Sequence, residues 1–349
     1  MKKICLTVDV ECHDINQENL YIWGETTEGY YGLKKILDIG KEKNIVVNFF
    51  VEVGACERFG IEFVKKICDM IKKYNQPIYM HLHPNFISGD DSRTFFWQYS
   101  HEEKKQIIMN GLEYYYLLTG YGKEEMLIFR AGRYGADEDL YDVLSELGLR
   151  VFDFSYKYSE EHKMCHVPYE IIKTRNKVAQ YKEHLIVPNT VYLGFRFLRW
   201  KKYLSFDVSE MRFDEFKRMI NESRLEIGVL TMHSWSLMKK YFFLNKYISG
   251  DQTVINRMEK MIDYGESFGV NFINANDVNS FREEEYDEVI DFTCGLKNYC
   301  RSMINNFLRM EYIARLNKKY FIIYSFIYLS IFTLLFVVIY QCYDCFVHK

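Results

Sequence analysis

Asp9 and Glu11 stand two residues apart in Thr7-Val8-Asp9-Val10-Glu11, and His81 and His83 stand two apart in His81-Leu82-His83-Pro84. In an extended chain, residues two apart point to the same side. Each pair therefore presents its chemistry together: two carboxylates in one case, two imidazoles in the other. Adjacent carboxylates repel unless a cation offsets them. Two imidazoles on one face can supply nitrogen ligands to zinc at ~2.0–2.1 Å. Together the four residues outline a three- or four-ligand site for one divalent cation, with zinc the expected ion.

Two further segments add chemistry. Phe129-Arg130-Ala131-Gly132-Arg133-Tyr134-Gly135 has two glycines that permit a tight turn and two arginines. Either Arg130 or Arg133 can hold a carboxylate in a bidentate fork, which would keep a base charged and aimed. In Leu230-Thr231-Met232-His233-Ser234-Trp235, His233 is of the residue type suited to proton donation to a leaving amine. Trp235 can wall it with an apolar ring. Taken singly, each segment also fits an ordinary loop; their force lies in occurring together.

These residues must be positioned by strand ends. Apolar, β-branched runs at 4–8, 45–50, 77–81, 126–129, 150–154, 185–187, 228–232 and 270–273 read as strands. Helical patterns fall between them at 31–43, 61–74, 101–118, 138–147, 213–221 and 252–268. Strands alternating with helices predict an α/β fold with a parallel sheet. The number of units favours a closed or nearly closed (β/α) barrel of about seven strands, whose chemistry sits at the C-terminal strand ends. Every chemical segment above lies at such an end. The aromatic stretch 157–203 breaks the rhythm and is expected to be an insertion shaping one wall of a cleft.

Taken in order, these segments resemble the polysaccharide deacetylases, the NodB-homology group of carbohydrate esterase family 4. The resemblance spans roughly residues 3–280. Val47-Asn48-Phe49-Phe50-Val51-Glu52 is similar to that family's second strand and Asp153-Phe154-Ser155 to its fifth. It implies a distorted (β/α) barrel and metal-dependent hydrolysis of a linear amide. Asp9 falls at the family's catalytic base and His233 at its general acid. Arg130 matches the base-orienting arginine, with local spacing one residue longer than the commonest form. Val10 stands where the family has its metal-binding aspartate, so Glu11 is assigned to the metal, with the roles of Asp9 and Glu11 open to exchange. His83-Pro84 matches the family's second histidine. Its first would fall at Tyr79, so His81 serves instead or the ligand set is smaller. The implied mechanism has the metal polarise the acyl oxygen and acidify water, Asp9 take the water's proton, a backbone N–H help hold the oxyanion, and His233 protonate the leaving amine.

The rest of the chain bears on location. Residues 1–285 read as the catalytic domain and 286–319 as a basic, amphipathic juxtamembrane segment carrying Arg301, Arg309, Arg315, Lys318 and Lys319. Residues 320–341 are long and apolar enough for a transmembrane helix, and 342–349 form a short tail. No signal peptide is expected at Met1-Lys2-Lys3, and the nine cysteines show no disulfide spacing. Basic residues before the apolar run place the large domain in the cytoplasm. The net charge of −3 excludes a basic nucleic-acid-binding field. The expected substrate is an N-acylated sugar, acetylated or formylated, in a cell-surface glycan or its lipid-linked precursor. Rival readings are a non-catalytic membrane-anchored scaffold and a deacylase of small cyclic amides.

Overall fold

The computed structural model describes residues 1–122, 126–159, 164–173, 175–197, 200–241, 246–280, 289–293, 298, 301, 302 and 305. The expected transmembrane helix at 320–341, the tail at 342–349 and most of 286–319 lie outside the described residues. Among the described residues, no helix is long and apolar enough to cross a membrane.

All eight expected strands and all six expected helices form. In chain order they are β1 (Lys3–Val10), α1 (Leu33–Glu42), β2 (Asn48–Glu52), α2 (Ile61–Lys73), β3 (Ile78–Leu82), α3 (His101–Thr119), β4 (Met126–Ala131), α4 (Glu138–Glu146), β5 (Arg150–Asp153), β6 (His184–Ile186), α5 (Phe213–Glu222), β7 (Ile227–His233), α6 (Gln252–Ser267) and β8 (Asn271–Phe272). The sheet runs β7-β1-β2-β3-β4-β5-β6 with these neighbours parallel; Ala179–Tyr181 adds an antiparallel edge strand to β6, and β8 pairs with the start of β1. Helices begin where the sequence caps them. Ser100 and Glu103 form a reciprocal capping box on α3, and Asp137 and Asp251 accept from the first backbone N–H groups of α4 and α6.

Among the described residues no regular strand joins β6 to β7, yet backbone hydrogen bonds bridge the gap. Phe206 N donates to Thr190 O at 2.8 Å, Thr231 N to Phe206 O at 2.9 Å, and Val208 N to Thr231 O at 3.0 Å. The barrel closes through these single bridges, and this is its distortion. The stretch 157–203 is therefore more than an insertion. It contains β6, and after β6 it forms a hairpin of Val191–Phe197 with Trp200–Ser205.

Strand alternation divides the core in two. Ile4, Leu6, Val8 and Val10 of β1 pack outward under the helices, with Phe49 and Val51 of β2 and Met80 and Leu82 of β3. Cys5, Phe50, Tyr79, Ile128, Phe152, Phe154 and Val229 pack inward against one another in a second cluster. The inward positions are those that continue, two residues at a time, to Asp9, Glu52, His81, Arg130 and His233. The same alternation that fills the barrel with apolar side chains thus delivers polar ones to its C-terminal mouth.

Candidate metal centre and cleft

Glu11, His81 and His83 are all buried and offer one donor atom each, all within 4.8 Å of one another. Glu11 Oε2 lies 2.7 Å from His83 Nε2 and 3.4 Å from His81 Nε2. The His81 ring is oriented from behind. Its Nδ1 donates to the carbonyl of Arg130 at 2.9 Å, which leaves Nε2 facing Glu11. His83 stacks on Phe86, and its backbone N–H donates to Glu52 at 2.7 Å.

The electrostatics call for positive charge at this point. Burial opposes an ionised Glu11, but the charge of His83 and hydrogen bonds from His13, His81 and His83 hold its carboxyl well below the usual range. Burial would lower the His81 imidazole; its hydrogen bond to Glu11 and the charges of Asp9, Glu11 and Glu52 raise it to about 9 instead. For His83 burial prevails and the ring is lowered. Burial pushes the neighbouring Glu52 carboxyl up to about 8, despite its two backbone donors. A carboxylate with two imidazoles, their far nitrogen or backbone already anchored, is a donor set that fits a divalent ion.

Asp9 does not join this triad. It pairs with Arg130, which is fully buried. The guanidinium also donates to Thr7 Oγ1 at 3.1 Å, Asn189 Oδ1 at 3.1 Å and Phe154 O at 3.3 Å, and lies 4.2 Å over the Phe50 ring. Of the two arginines open to this role in sequence, Arg130 takes it and Arg133 does not. His233 is partly exposed, with Nε2 3.7 Å from Glu11 Oε1, and its ring stacks on Trp235 at 4.5 Å. Asp9, Glu11, His81, His83, Arg130 and His233 all line one cleft of about 210 Å³, with His13, Ala131, Arg133 and Tyr134.

Several contributors went unread in the sequence. His13 continues the two-residue series from Asp9 and Glu11, and its Nε2 lies 3.6 Å from Glu11 Oε1; that series was the available signal. Asn189 and Thr7 complete the Arg130 cradle, and nothing local in their sequence marks them. Tyr79 sits one inward step below His81, between Phe50 and Asn274, with its hydroxyl on the Asn274 side chain. A ligand at that step would lie beneath the mouth. Among the described residues of 157–203 none lines the cleft itself, contrary to the expected wall, although Lys157 lies beside Tyr134, which does; the stretch also acts from beneath, through Asn189.

Gly132 is required by His83. A Cβ there would lie 2.4 Å from His83 Cγ. Gly132→Ala is expected to displace the ring and weaken zinc binding about 10- to 100-fold, the scale of supporting-residue losses at metal sites. Competition with a chromophoric chelator measures this, with the melting temperature as a check on folding. Unchanged affinity would mean that the ring relocates freely.

No family model and no curated protein matches the chain. Solved structures do. A family 4 pseudoenzyme from Bacillus anthracis is 12% identical with a TM-score of 0.43, over 83% of this chain and 69% of that one. This chain covers 64% of a mutant of a pseudoenzyme of the same family. A family 4 carbohydrate esterase from Streptomyces lividans is 10% identical with a TM-score of 0.41, over 79% and 94% of the two chains. A peptidoglycan deacetylase from Bacillus subtilis is 12% identical with a TM-score of 0.39, over 80% and 90%. These structures are thus a pseudoenzyme and a carbohydrate esterase of family 4 and a peptidoglycan deacetylase.

Proposed function

We propose that this chain is a metal-dependent amidohydrolase that removes an N-acyl group, acetyl or formyl, from an amino sugar of a cell-surface glycan or its lipid-linked precursor. One observation carries the reading. A single cleft holds a Glu–His–His donor set, a carboxylate clamped by a buried arginine, and a partly exposed histidine.

Glu11, His81 and His83 would hold the ion, which when bound supplies Lewis acidity and an acidified water. Arg130 fixes the direction of the Asp9 carboxylate, and Asp9 accepts the proton of the attacking water. His233, across the cleft and held flat against Trp235, gives a proton to the departing amine. Phe50, Tyr79 and Phe154 exclude solvent from below. The reading extends to location. The apolar run 320–341 anchors the chain, and the catalytic part faces the cytoplasm, where it meets sugars carried on a lipid phosphate.

The test is metal analysis of the full chain paired with acyl release from a lipid-linked glycan extract. Stoichiometric zinc is expected, with acetate or formate release that a chelator abolishes and zinc restores. A chain that takes up no metal, or releases acyl groups regardless of chelator, ends the reading. Protease added outside intact cells should spare the catalytic part; its cleavage would reverse the orientation and favour finished surface glycan.

Zinc binding should also depend on pH. In the ion-free site His81 holds a proton up to about pH 9, and binding releases it. Apparent affinity is therefore expected to fall about tenfold per pH unit below 9, measured by chelator competition between pH 6.5 and 9. A flat profile would mean that His81 binds no ion.

A further inference from the structure

We infer that Arg133 reads a negative charge on the substrate, a phosphate or carboxylate carried by the same sugar as the N-acyl group. This deepens the amidohydrolase reading and rests on it.

The loop after β4 is pinned at both ends. Gly132 leaves no room for a Cβ against the His83 ring, and a Cβ on Gly135 would lie 2.9 Å from Phe95. Between them, Arg133 and Tyr134 both adopt left-handed backbone, at φ 55° and 56°. Side chains with a Cβ disfavour this region, and two in succession call for a reason. The conformation turns an exposed arginine into the lining of the cleft.

That arginine is unmatched. Among the described residues its side chain has no hydrogen bond or ion pair, whereas Arg58 pairs with Asp91, Arg93 with Asp90 and Glu103, and Arg130 with Asp9. The acids of the cleft are already engaged. Asp9 is taken by Arg130, and Glu11 is surrounded by the imidazoles of His13, His81, His83 and His233. Arg133 therefore sits beside two carboxylates without pairing with either. A second cation stands nearby: Lys157 Nζ lies 5.7 Å from the Tyr134 ring centroid and also has no ion pair among the described residues. An unpaired arginine lining a cleft whose interior charges are satisfied, with Lys157 beside the neighbouring Tyr134 ring, forms a receptor for an anion. A guanidinium suits it because its planar fork matches phosphate and carboxylate.

The test is calorimetric titration of the zinc-loaded full chain at low salt with three probes: N-acetylglucosamine 1-phosphate, N-acetylmuramic acid, and the neutral methyl glycoside of N-acetylglucosamine. At least one anionic probe is expected to bind about tenfold or more tightly than the neutral one, and which one does so separates phosphate from carboxylate. Arg133→Gln should weaken that probe about 10- to 100-fold, the loss of a hydrogen bond to a charged group, and leave the neutral probe unchanged. Arg133→Lys should recover part of the loss as a point charge. Equal binding of all three probes, or an anion preference that survives Arg133→Gln in a protein of unchanged melting temperature, overturns the inference. The two readings fail separately. Arg133-dependent anion binding without acyl release removes the hydrolase and keeps the receptor; acyl release without anion preference does the reverse.

Discussion

Turnover of the zinc-loaded Asp9→Asn variant is expected to fall about 100- to 10,000-fold, the range for loss of a general base. Asparagine keeps the size of the side chain and can still accept from Arg130, but it cannot take a proton from water. Because Asp9 lies outside the Glu11, His81 and His83 group, zinc content should stay at the wild-type level. Glu11→Gln should behave in the opposite way and lose zinc first. The pair of variants therefore decides which carboxylate serves the ion. Single-turnover acyl release with metal analysis on the same sample makes the measurement. Full activity in metal-loaded Asp9→Asn would strike Asp9 from the mechanism, and loss of zinc from that variant would exchange the two roles.

Arg130→Met should destabilise the fold by about 3–5 kcal/mol, the cost of leaving one partner of a buried ion pair alone. The guanidinium is wholly buried, and it ties Asp9 of β1 to Thr7 of the same strand, to Asn189 beyond β6 and to Phe154 beyond β5. Removing it strands Asp9 and opens the contacts between opposite walls of the barrel. Methionine fills much of the volume and carries no charge to compensate. Urea denaturation measures the loss. The double variant Asp9→Asn with Arg130→Met should regain part of it, since no lone carboxylate remains. A single-variant cost below about 1 kcal/mol, the scale of an exposed pair, would show that the two groups are not coupled as drawn.

Much of this was legible because the strand period is two. The spacing of Asp9 with Glu11 and of His81 with His83 needed only that rule to place each pair on one side, and the strand ends followed from the apolar runs. What stayed hidden depends on contacts across the barrel. Asn189 supports Arg130 from 59 residues away, and no local pattern signals that. Closure through Thr190, Phe206 and Thr231 uses isolated bridges without a strand period to detect. Tyr79 and His81 share a face, so parity alone cannot say which reaches the mouth; depth decides it, and depth is set by the register of β3 against β2 and β4. The left-handed turn at Arg133 was invisible for a related reason, since neither arginine nor tyrosine advertises that conformation.

The stacked rings of Phe50, Tyr79 and Phe154 have a bearing on traffic. They fill the barrel below the cleft, so among the described residues they close it from beneath. Under the proposed reaction, a long glycan would lie across the opening and dip one residue inward. In that same reaction, the small acid formed on that floor would leave after the sugar that covers it.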